Sequence, residues 1–196
     1  MLKDLIIKNR SCRGYDGSYV MSREDLLELV DAARLSGSTT NRQQLRFYIA
    51  DDKELVEKIL PLTRWGGLFK DRHLPYEGKG PSAFIIICVD RTVCPPAYAE
   101  KWAPYDIGIA CQSMLLTATE KGCAGLMIGN VKFDELKALL QLPEELEPKL
   151  AVAFGKPDEE IKIVDVPADG NVNYYRDEND VHYVPKRALK DLIINP

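Results

Sequence analysis

Apolar residues recur along the chain with two different periods, and together these predict a protein of mixed helices and strands. Helical spacing predicts helices over 1–9, 23–36, 53–60, 104–121 and 133–140. Short runs of β-forming residues predict strands over 45–50, 83–89, 124–128, 149–154 and 161–166. The run 83–89 is apolar throughout, which is typical of a strand that is buried on both faces.

Local signals predict where the two longest helices begin and end. Ser22 is a favourable N-cap for the helix that follows it, and Gly37 interrupts the apolar pattern at the other end. Pro104 suits the first turn of the helix over 104–121, and Gly122 follows its last turn. The apolar stripe of this second helix is wide, so we expect a central helix that could also pack against a second subunit.

The order of these elements predicts one domain over residues 1–196. The chain contains no internal repeat and no linker rich in glycine or serine. From about residue 169 it becomes polar and irregular, which predicts an extended C-terminal arm over 169–196 that ends in a short helix through Leu189, Leu192 and Ile193. Because such an arm buries little by itself, we expect it to wrap a partner subunit.

Composition and charge narrow the class of protein. The hydrophobic fraction of 45% is ordinary for a globular chain, and the net charge of −4 argues against broad nucleic-acid binding. The longest apolar run is too short to cross a bilayer, and residues 1–8 are too charged for a secretory signal. Five cysteines without a CxxC pair and two isolated histidines indicate no disulfide framework and no metal site. We therefore expect a cytoplasmic protein with reduced thiols.

Three polar segments are candidates for binding chemistry, since the common nucleotide and hydrolase motifs are missing. Residues 9–13 offer two arginines and a serine to an anion, although a solvated helix end is an equally simple interpretation. Residues 36–43 form a dense set of small polar groups that could also be an ordinary loop. Residues 125–130 are a strand with a glycine turn, where backbone N–H groups could approach a planar ring or simply end the strand.

Taken together and in this order, these segments resemble the nitroreductase family of FMN enzymes. Residues 9–15, Asn-Arg-Ser-Cys-Arg-Gly-Tyr, are similar to the family pattern Arg-Arg-Ser-x-Arg followed by an aromatic residue. Residues 36–45 resemble Ala-Pro-Ser-x-x-Asn-x-Gln-Pro-Trp, and residues 106–116 match Asp-x-Gly-x-Ala-x-Gln-x-Leu-Leu-Leu. The glycine turn at 121–125 and Gly-Lys-Pro at 155–157 also fit. Asn9 replaces the first arginine, and Gly37 and Gln44 replace both prolines.

The resemblance implies a fold and a cofactor site. The implied fold is α+β: a central, mostly antiparallel sheet flanked by helices, in a homodimer that exchanges the C-terminal arm. The implied cofactor is FMN, with its phosphate and ribityl end on Arg10, Ser11 and Arg187. Arg13 would lie at the N1/O2 edge of the ring. The remaining implied contacts are Ser38, Thr39, Asn41 and Gln43 from the other subunit, the strand end at Met127, Ile128 and Gly129, and Lys186 beside Arg187.

The resemblance also implies an activity. NAD(P)H would reduce the flavin at N5, and a small electron acceptor such as a nitroaromatic or a quinone would then take the hydride in a ping-pong cycle. No catalytic side chain is required, in agreement with the lack of a paired histidine or carboxylate. Two alternatives remain open: a flavin-binding protein without turnover, and a structural dimer that has lost its cofactor, which Asn9 and the missing prolines would favour.

Overall fold

A computed structural model describes residues 1–69 and 72–195 of the protein. The α-helices are α1 (Leu2–Lys8), α2 (Arg23–Leu35), α3 (Lys53–Ile59), α4 (Pro96–Glu120) and α5 (Phe133–Leu139). The strands are β1 (Leu45–Ala50), β2 (Ala83–Asp90), β3 (Ala124–Ile128), β4 (Leu146–Gly155), β5 (Ile161–Asp165), β6 (Tyr175–Arg176) and β7 (His182–Lys186). The predicted α+β class is therefore confirmed, and most of the predicted elements agree with the structure to within a few residues.

The first four strands form an antiparallel sheet in the order β1-β2-β4-β3. All eight residues of β2 are buried, as its continuous apolar run predicted. Ile85 and Ile87 point to one face, where they pack with α2 and α4, and Phe84 and Ile86 point to the other, where they pack with α3 and α5. This alternation follows from the two-residue period of a strand, and it places apolar cores on both faces of the sheet.

The predicted start of the central helix was wrong. α4 begins at Pro96, and Pro104 lies inside the helix rather than in its first turn. A proline in a helix interior costs about 3 kcal/mol. The added N-terminal turns bury Ala99 and Ala103 against Val89, so packing outweighs that cost. The predicted start of α2 is confirmed, because the Ser22 hydroxyl accepts a hydrogen bond from the backbone N–H of Asp25.

The C-terminal region is more ordered than its polar sequence suggested. β7 pairs in parallel with β5 and antiparallel with β6, which makes a second sheet in the order β5-β7-β6. The prediction of an irregular arm was therefore wrong over residues 175–186, which fold back onto their own chain. The predicted closing helix is reduced to one 3-10 turn at Leu189–Asp191. The last residue of the predicted arm, Pro196, lies outside the described residues, as do Lys70 and Asp71. Exchange of the arm with a partner stays a prediction.

Polar contacts explain why an apolar pattern could not reveal the second sheet. The Asp177 carboxylate accepts hydrogen bonds from the backbone N–H groups of Asn179 and Val181 and from the Tyr183 hydroxyl. These bonds shape the turn between β6 and β7 without apolar alternation. All five cysteines are buried free thiols. In residues 1–69 and 72–195, no helix has the length and apolar character to span a membrane.

Candidate functional site

The segment 10–13 runs along the edge strand β3. Ser11 forms a parallel bridge with Gly125, and the backbone N–H of Cys12 donates to the Gly125 carbonyl at 3.1 Å. Further along β3, the side chain of Met127 is 45% exposed, and a Cβ added to Gly129 would meet nothing within 4 Å. The structure thus brings two of the three candidate segments together along the edge strand β3.

The side chain of Arg13 is more enclosed than that of Arg10: Arg13 is 8% exposed, and Arg10 is only half-buried. Nη1 of Arg13 donates to the Ser11 carbonyl at 3.1 Å, and its Cζ lies 4.8 Å from the ring centroid of Tyr174 and 5.9 Å from that of Phe69. Burial lowers the pKa of Arg13 from its usual value, and the same cause lowers the pKa of Arg10. Arginine nevertheless keeps its charge in proteins. The site therefore holds two fixed positive charges.

Both arginines have donor capacity to spare. Arg10 donates from Nη2 to the Ile6 carbonyl at 2.8 Å. Within the described part of the chain, however, the buried Nε atoms of Arg10 and Arg13 have no hydrogen-bond partner. An unpaired buried donor is costly, and its presence in both arginines of one segment suits a site completed by a ligand or a second chain.

A buried ion cluster connects Arg13 to the C-terminal sheet. Glu159 accepts a hydrogen bond from the backbone N–H of Arg13 and forms an ion pair with Arg176. The side chains of Arg176 and Glu159 are only 2% and 4% exposed. Arg176 also pairs with Asp180 at 2.8 Å, and Asp180 pairs with Arg72. The position of Arg13 thus depends on residues that are about 150 positions away in sequence.

His182 lies under this cluster and is 1% exposed. Its ring packs edge-to-face on Phe69 and Tyr174, with centroids 5.4 and 5.5 Å away. Neither ring nitrogen has a partner among the residues that the structure describes. Burial, followed by the nearby positive charges of Arg13 and Arg176, lowers the pKa of His182 to about 4. At neutral pH the imidazole is therefore uncharged.

Sequence reasoning missed Glu159, Arg176 and His182. Each is a single polar residue in a polar region, with no spacing that marks it as buried. The position of Glu159 is the one indication of its burial. It comes four residues after Gly155, in a segment that pairs with Tyr15. Long-range burial of this kind is visible only in three dimensions.

The polar loop at 36–43 lies at the other edge of the main sheet. Thr39–Asn41 form a 3-10 turn, and Thr40, Asn41 and Gln43 have left-handed φ angles of 49°, 53° and 52°. The carboxylate of Asp106, on α4, accepts from the backbone N–H and the hydroxyl of Thr39, each at 2.8 Å. Ser38 and Gln43 also border a cavity of about 260 Å³.

Within one chain, the loop at 36–43 and the basic pair Lys186 and Arg187 do not come together with segment 10–13. The loop leads into β1 and segment 10–13 lies on β3, so three strand spacings, about 14 Å, separate the two sheet edges. Lys186 is the last residue of β7 and Arg187 follows it, and both line a cavity of about 310 Å³ with Asp165 and Asp191. In residues 1–69 and 72–195, neither basic side chain forms a hydrogen bond or ion pair with segment 10–13. Their assignment to one cofactor stays a prediction.

Several known proteins are similar to this chain in sequence or in fold. The chain is 27% identical over 160 residues to a protein of Archaeoglobus fulgidus described as a candidate NADH dehydrogenase/NAD(P)H nitroreductase, which covers 80% of this chain and 85% of the relative. An FMN-dependent nitroreductase of Clostridium difficile R20291 has a similar structure, with a TM-score of 0.64, 23% identity, and coverage of 80% and 87%.

The NADPH:FMN oxidoreductase of Vibrio harveyi, solved in complex with NAD⁺, is similar with a TM-score of 0.67 and 22% identity over 90% of this chain and 78% of that one. At this level of identity the two structures show a shared fold. The sequence profile of the Nitroreductase family matches residues 6–156, which is most of the chain. The predicted family and its oxidoreductase class are thereby confirmed, and the protein belongs to the nitroreductase family.

Proposed function

We propose that the protein is an NAD(P)H-dependent flavin oxidoreductase that binds FMN and reduces a small electron acceptor, such as a nitroaromatic or a quinone. One observation carries this proposal beyond the family: Arg10 and Arg13 lie on either side of Ser11, which bridges Gly125 of β3, and in the described part of the chain the buried Nε of each arginine has no hydrogen-bond partner. The names of the relatives support the same chemistry, since they refer to NAD(P)H and FMN.

The residues present fit FMN in their chemistry. Arg10 and Ser11 would hold the phosphate and ribityl end, joined by Lys186 and Arg187. Arg13 would lie at the N1/O2 edge of the ring. The strand end formed by Met127, Ile128 and Gly129 would face the ring, and its exposed Met127 side chain and open Gly129 leave room for a planar group.

The chain's own part in the reaction is orientation and electrostatics. When bound, FMN supplies hydride chemistry at its N5 atom, first with NAD(P)H and then with the acceptor in a ping-pong cycle. Arg13 would favour the anionic reduced ring, because its positive charge is fixed and only partly screened by water. The Ser11 carbonyl and the Tyr174 ring contact that guanidinium, while Glu159 accepts a hydrogen bond from the backbone N–H of Arg13. This chemistry requires no side-chain acid.

A homodimer is part of the proposal. Ser38, Thr39, Asn41 and Gln43 would reach the flavin of the partner subunit, because their loop and segment 10–13 lie at opposite edges of one chain's sheet. The exchanged part of the predicted arm would be its last residues, where Leu189, Leu192 and Ile194 are exposed by 75%, 61% and 98%. Exposed apolar side chains of this number suit a contact with another subunit.

The test is reconstitution with FMN, followed by anaerobic addition of NADH or NADPH. We expect a yellow protein whose absorbance near the flavin maximum is lost on reduction. Retained FMN without bleaching would favour the flavin-binding alternative, and no retained FMN would favour the structural dimer. Both results would contradict the proposed enzyme.

A matched pair of variants tests the site itself. Arg13→Ala should weaken FMN binding at least tenfold, the effect of losing one charge-assisted hydrogen bond of about 1.4 kcal/mol or more. Arg23→Ala is the control, because Arg23 is 55% exposed and pairs with Asp51. Asp51 directly follows β1, at the sheet edge opposite β3. Circular dichroism and thermal unfolding establish that both variants are folded. Equal FMN affinities in the two would overturn the assignment of Arg13.

A further inference from the structure

Asp106 is a buried carboxylate, and among the described residues its side-chain hydrogen bonds all go to one short stretch of chain. It is 2% exposed on α4. Its Oδ1 accepts from the backbone N–H and the Oγ1 hydroxyl of Thr39, and its Oδ2 accepts from Nε2 of Gln44 at 2.9 Å. The two bonded residues bracket the polar loop, so a single side chain fixes both ends of residues 39–44.

The loop needs such an anchor because its backbone is unfavourable by itself. Thr40, Asn41 and Gln43 all have left-handed φ angles, which L-residues other than glycine rarely adopt. Such conformations persist only where surrounding contacts determine them. Packing gives little help: the loop borders a cavity of about 260 Å³, and a Cβ added to Gly37 would meet nothing within 4 Å.

The other charged contacts of the loop come from exposed side chains: Arg46, which is 45% exposed, donates from Nη1 to the Gln43 carbonyl at 2.9 Å, and Arg42 donates to the Val93 carbonyl at 3.3 Å. Tyr98 Oη donates to the Thr39 carbonyl at 3.0 Å and lies 2.7 Å from the hydroxyl of Thr40, but these two bonds involve neutral groups. A hydrogen bond to an ionised acceptor is roughly twice as strong as a neutral one. The carboxylate of Asp106 is therefore the main constraint on the loop.

We propose that Asp106 is a positioning residue for the flavin site: it holds residues 38–43 in the left-handed form in which Thr39 and Asn41 contact FMN. This inference rests on the proposed function, since it assumes that the loop reaches a flavin. Asp106 itself would touch neither cofactor nor substrate. Its contribution would pass through the backbone of Thr39.

The experiment compares three substitutions on α4. Asp106→Ala removes both acceptors, whereas Asp106→Asn keeps an uncharged oxygen for Thr39 and the same side-chain shape. Met114→Ala is the matched control, because Met114 is fully buried on the same helix and packs in the core rather than on the loop. Hydrogen exchange of the peptide 36–44 is followed in flavin-free protein, and the Kd for FMN is then titrated by fluorescence quenching.

We expect Asp106→Ala to accelerate exchange of the Thr39 amide by about tenfold or more and to raise the Kd for FMN by about tenfold. For Asp106→Asn, both the exchange rate and the Kd for FMN should lie between the values for Asp106→Ala and for the unaltered protein. Met114→Ala should lower the Tm and leave both readouts unchanged. If Asp106→Ala does not fold, the isosteric Asp106→Asn gives the same comparison with smaller changes.

Two results would overturn the inference. Unchanged exchange in both Asp106 variants would show that other contacts hold the loop. Faster exchange with an unchanged Kd for FMN would show that the loop is held by Asp106 but does not serve the flavin. Failure of the unaltered protein to bind FMN would instead overturn the proposed function, and the exchange rates would still report whether Asp106 holds the loop.

Discussion

Removing the charge of Glu159 should destabilise the protein far more than removing the charge of its neighbour Asp158. Glu159 and Arg176 form an ion pair whose side chains are 4% and 2% exposed, and Glu159 also accepts the backbone N–H of Arg13. Glu159→Gln preserves the size of the side chain but leaves Arg176 without its buried counter-charge. Loss of one partner from a buried pair costs about 3–5 kcal/mol. Since Arg176 keeps Asp180, we expect the lower end, about 3 kcal/mol.

Asp158→Asn is the matched control for this prediction. Asp158 pairs with Lys79, and their side chains are 48% and 42% exposed, so this surface pair should contribute about 0–1 kcal/mol. Urea unfolding followed by far-ultraviolet circular dichroism, at pH 7 and one protein concentration, gives the free energy of unfolding of each variant.

A double-mutant cycle separates the pair from other effects of Glu159→Gln. Arg176→Gln alone leaves Glu159 buried without its cation, whereas the double variant leaves two neutral amides that can bond to each other. The double variant should therefore lose less than the sum of the two single losses. If Glu159→Gln costs no more than Asp158→Asn, or if the two single losses add, the buried pair does not stabilise the fold in the way its geometry indicates.

Three further predictions concern titration, packing and thiol reactivity. Because the folded pKa of His182 is about 4, below its ordinary 6.5, the unfolded chain binds more protons between these values, so stability present above pH 6.5 is lost as the pH falls towards 4. His182→Phe should flatten the dependence of Tm on pH between 7 and 4.5, and parallel profiles for the two proteins would contradict this. Gly125→Ala should lower the free energy of unfolding by about 1–3 kcal/mol, since its Cβ would lie 2.5 Å from Cδ2 of Leu115. Gly37→Ala is the control and should be neutral or slightly stabilising, so equal urea midpoints would refute the distinction. Burial raises the pKa of Cys88 to about 11 and encloses all five thiols, so Ellman's reagent should react slowly with the native protein and with five thiols after denaturation, and fast native labelling would show that the thiols are accessible.

The sequence was most informative where apolar residues recur regularly or without interruption. The run 83–89 could be assigned as a doubly buried strand because every residue in it is apolar, and the structure places it in the middle of the sheet. The start of α4 was misjudged for an equally physical reason. Pro104 and Pro96 are both compatible with a first turn, and only the packing of Ala99 and Ala103 decides between them.

In the candidate site, sequence motifs predicted the local residues but not the residues that contact them from distant segments. The resemblance predicts that Arg10, Ser11 and the strand end at 127–129 belong to one site, and the structure pairs Ser11 with Gly125 of the same strand. It gave no information on Glu159 or Arg176, because ion pairs across distant segments leave no spacing in the sequence. The second sheet escaped prediction for a different reason, since local hydrogen bonds to the Asp177 carboxylate rather than an apolar alternation shape the turn between β6 and β7.

The geometry of one chain also gives a reason why the proposed flavin site would need a homodimer. Each chain carries a cationic segment on β3 and a polar loop before β1, at opposite edges of its sheet. In the proposed homodimer neither would be a complete flavin site by itself, because the first lacks the small polar groups of the loop and the second lacks the arginines. Two copies related by a two-fold axis would join each loop to the other chain's arginines and so make two equivalent sites. A loop that must match a surface on another chain has to be rigid before the two meet, and the buried carboxylate of Asp106 gives it that rigidity within its own subunit.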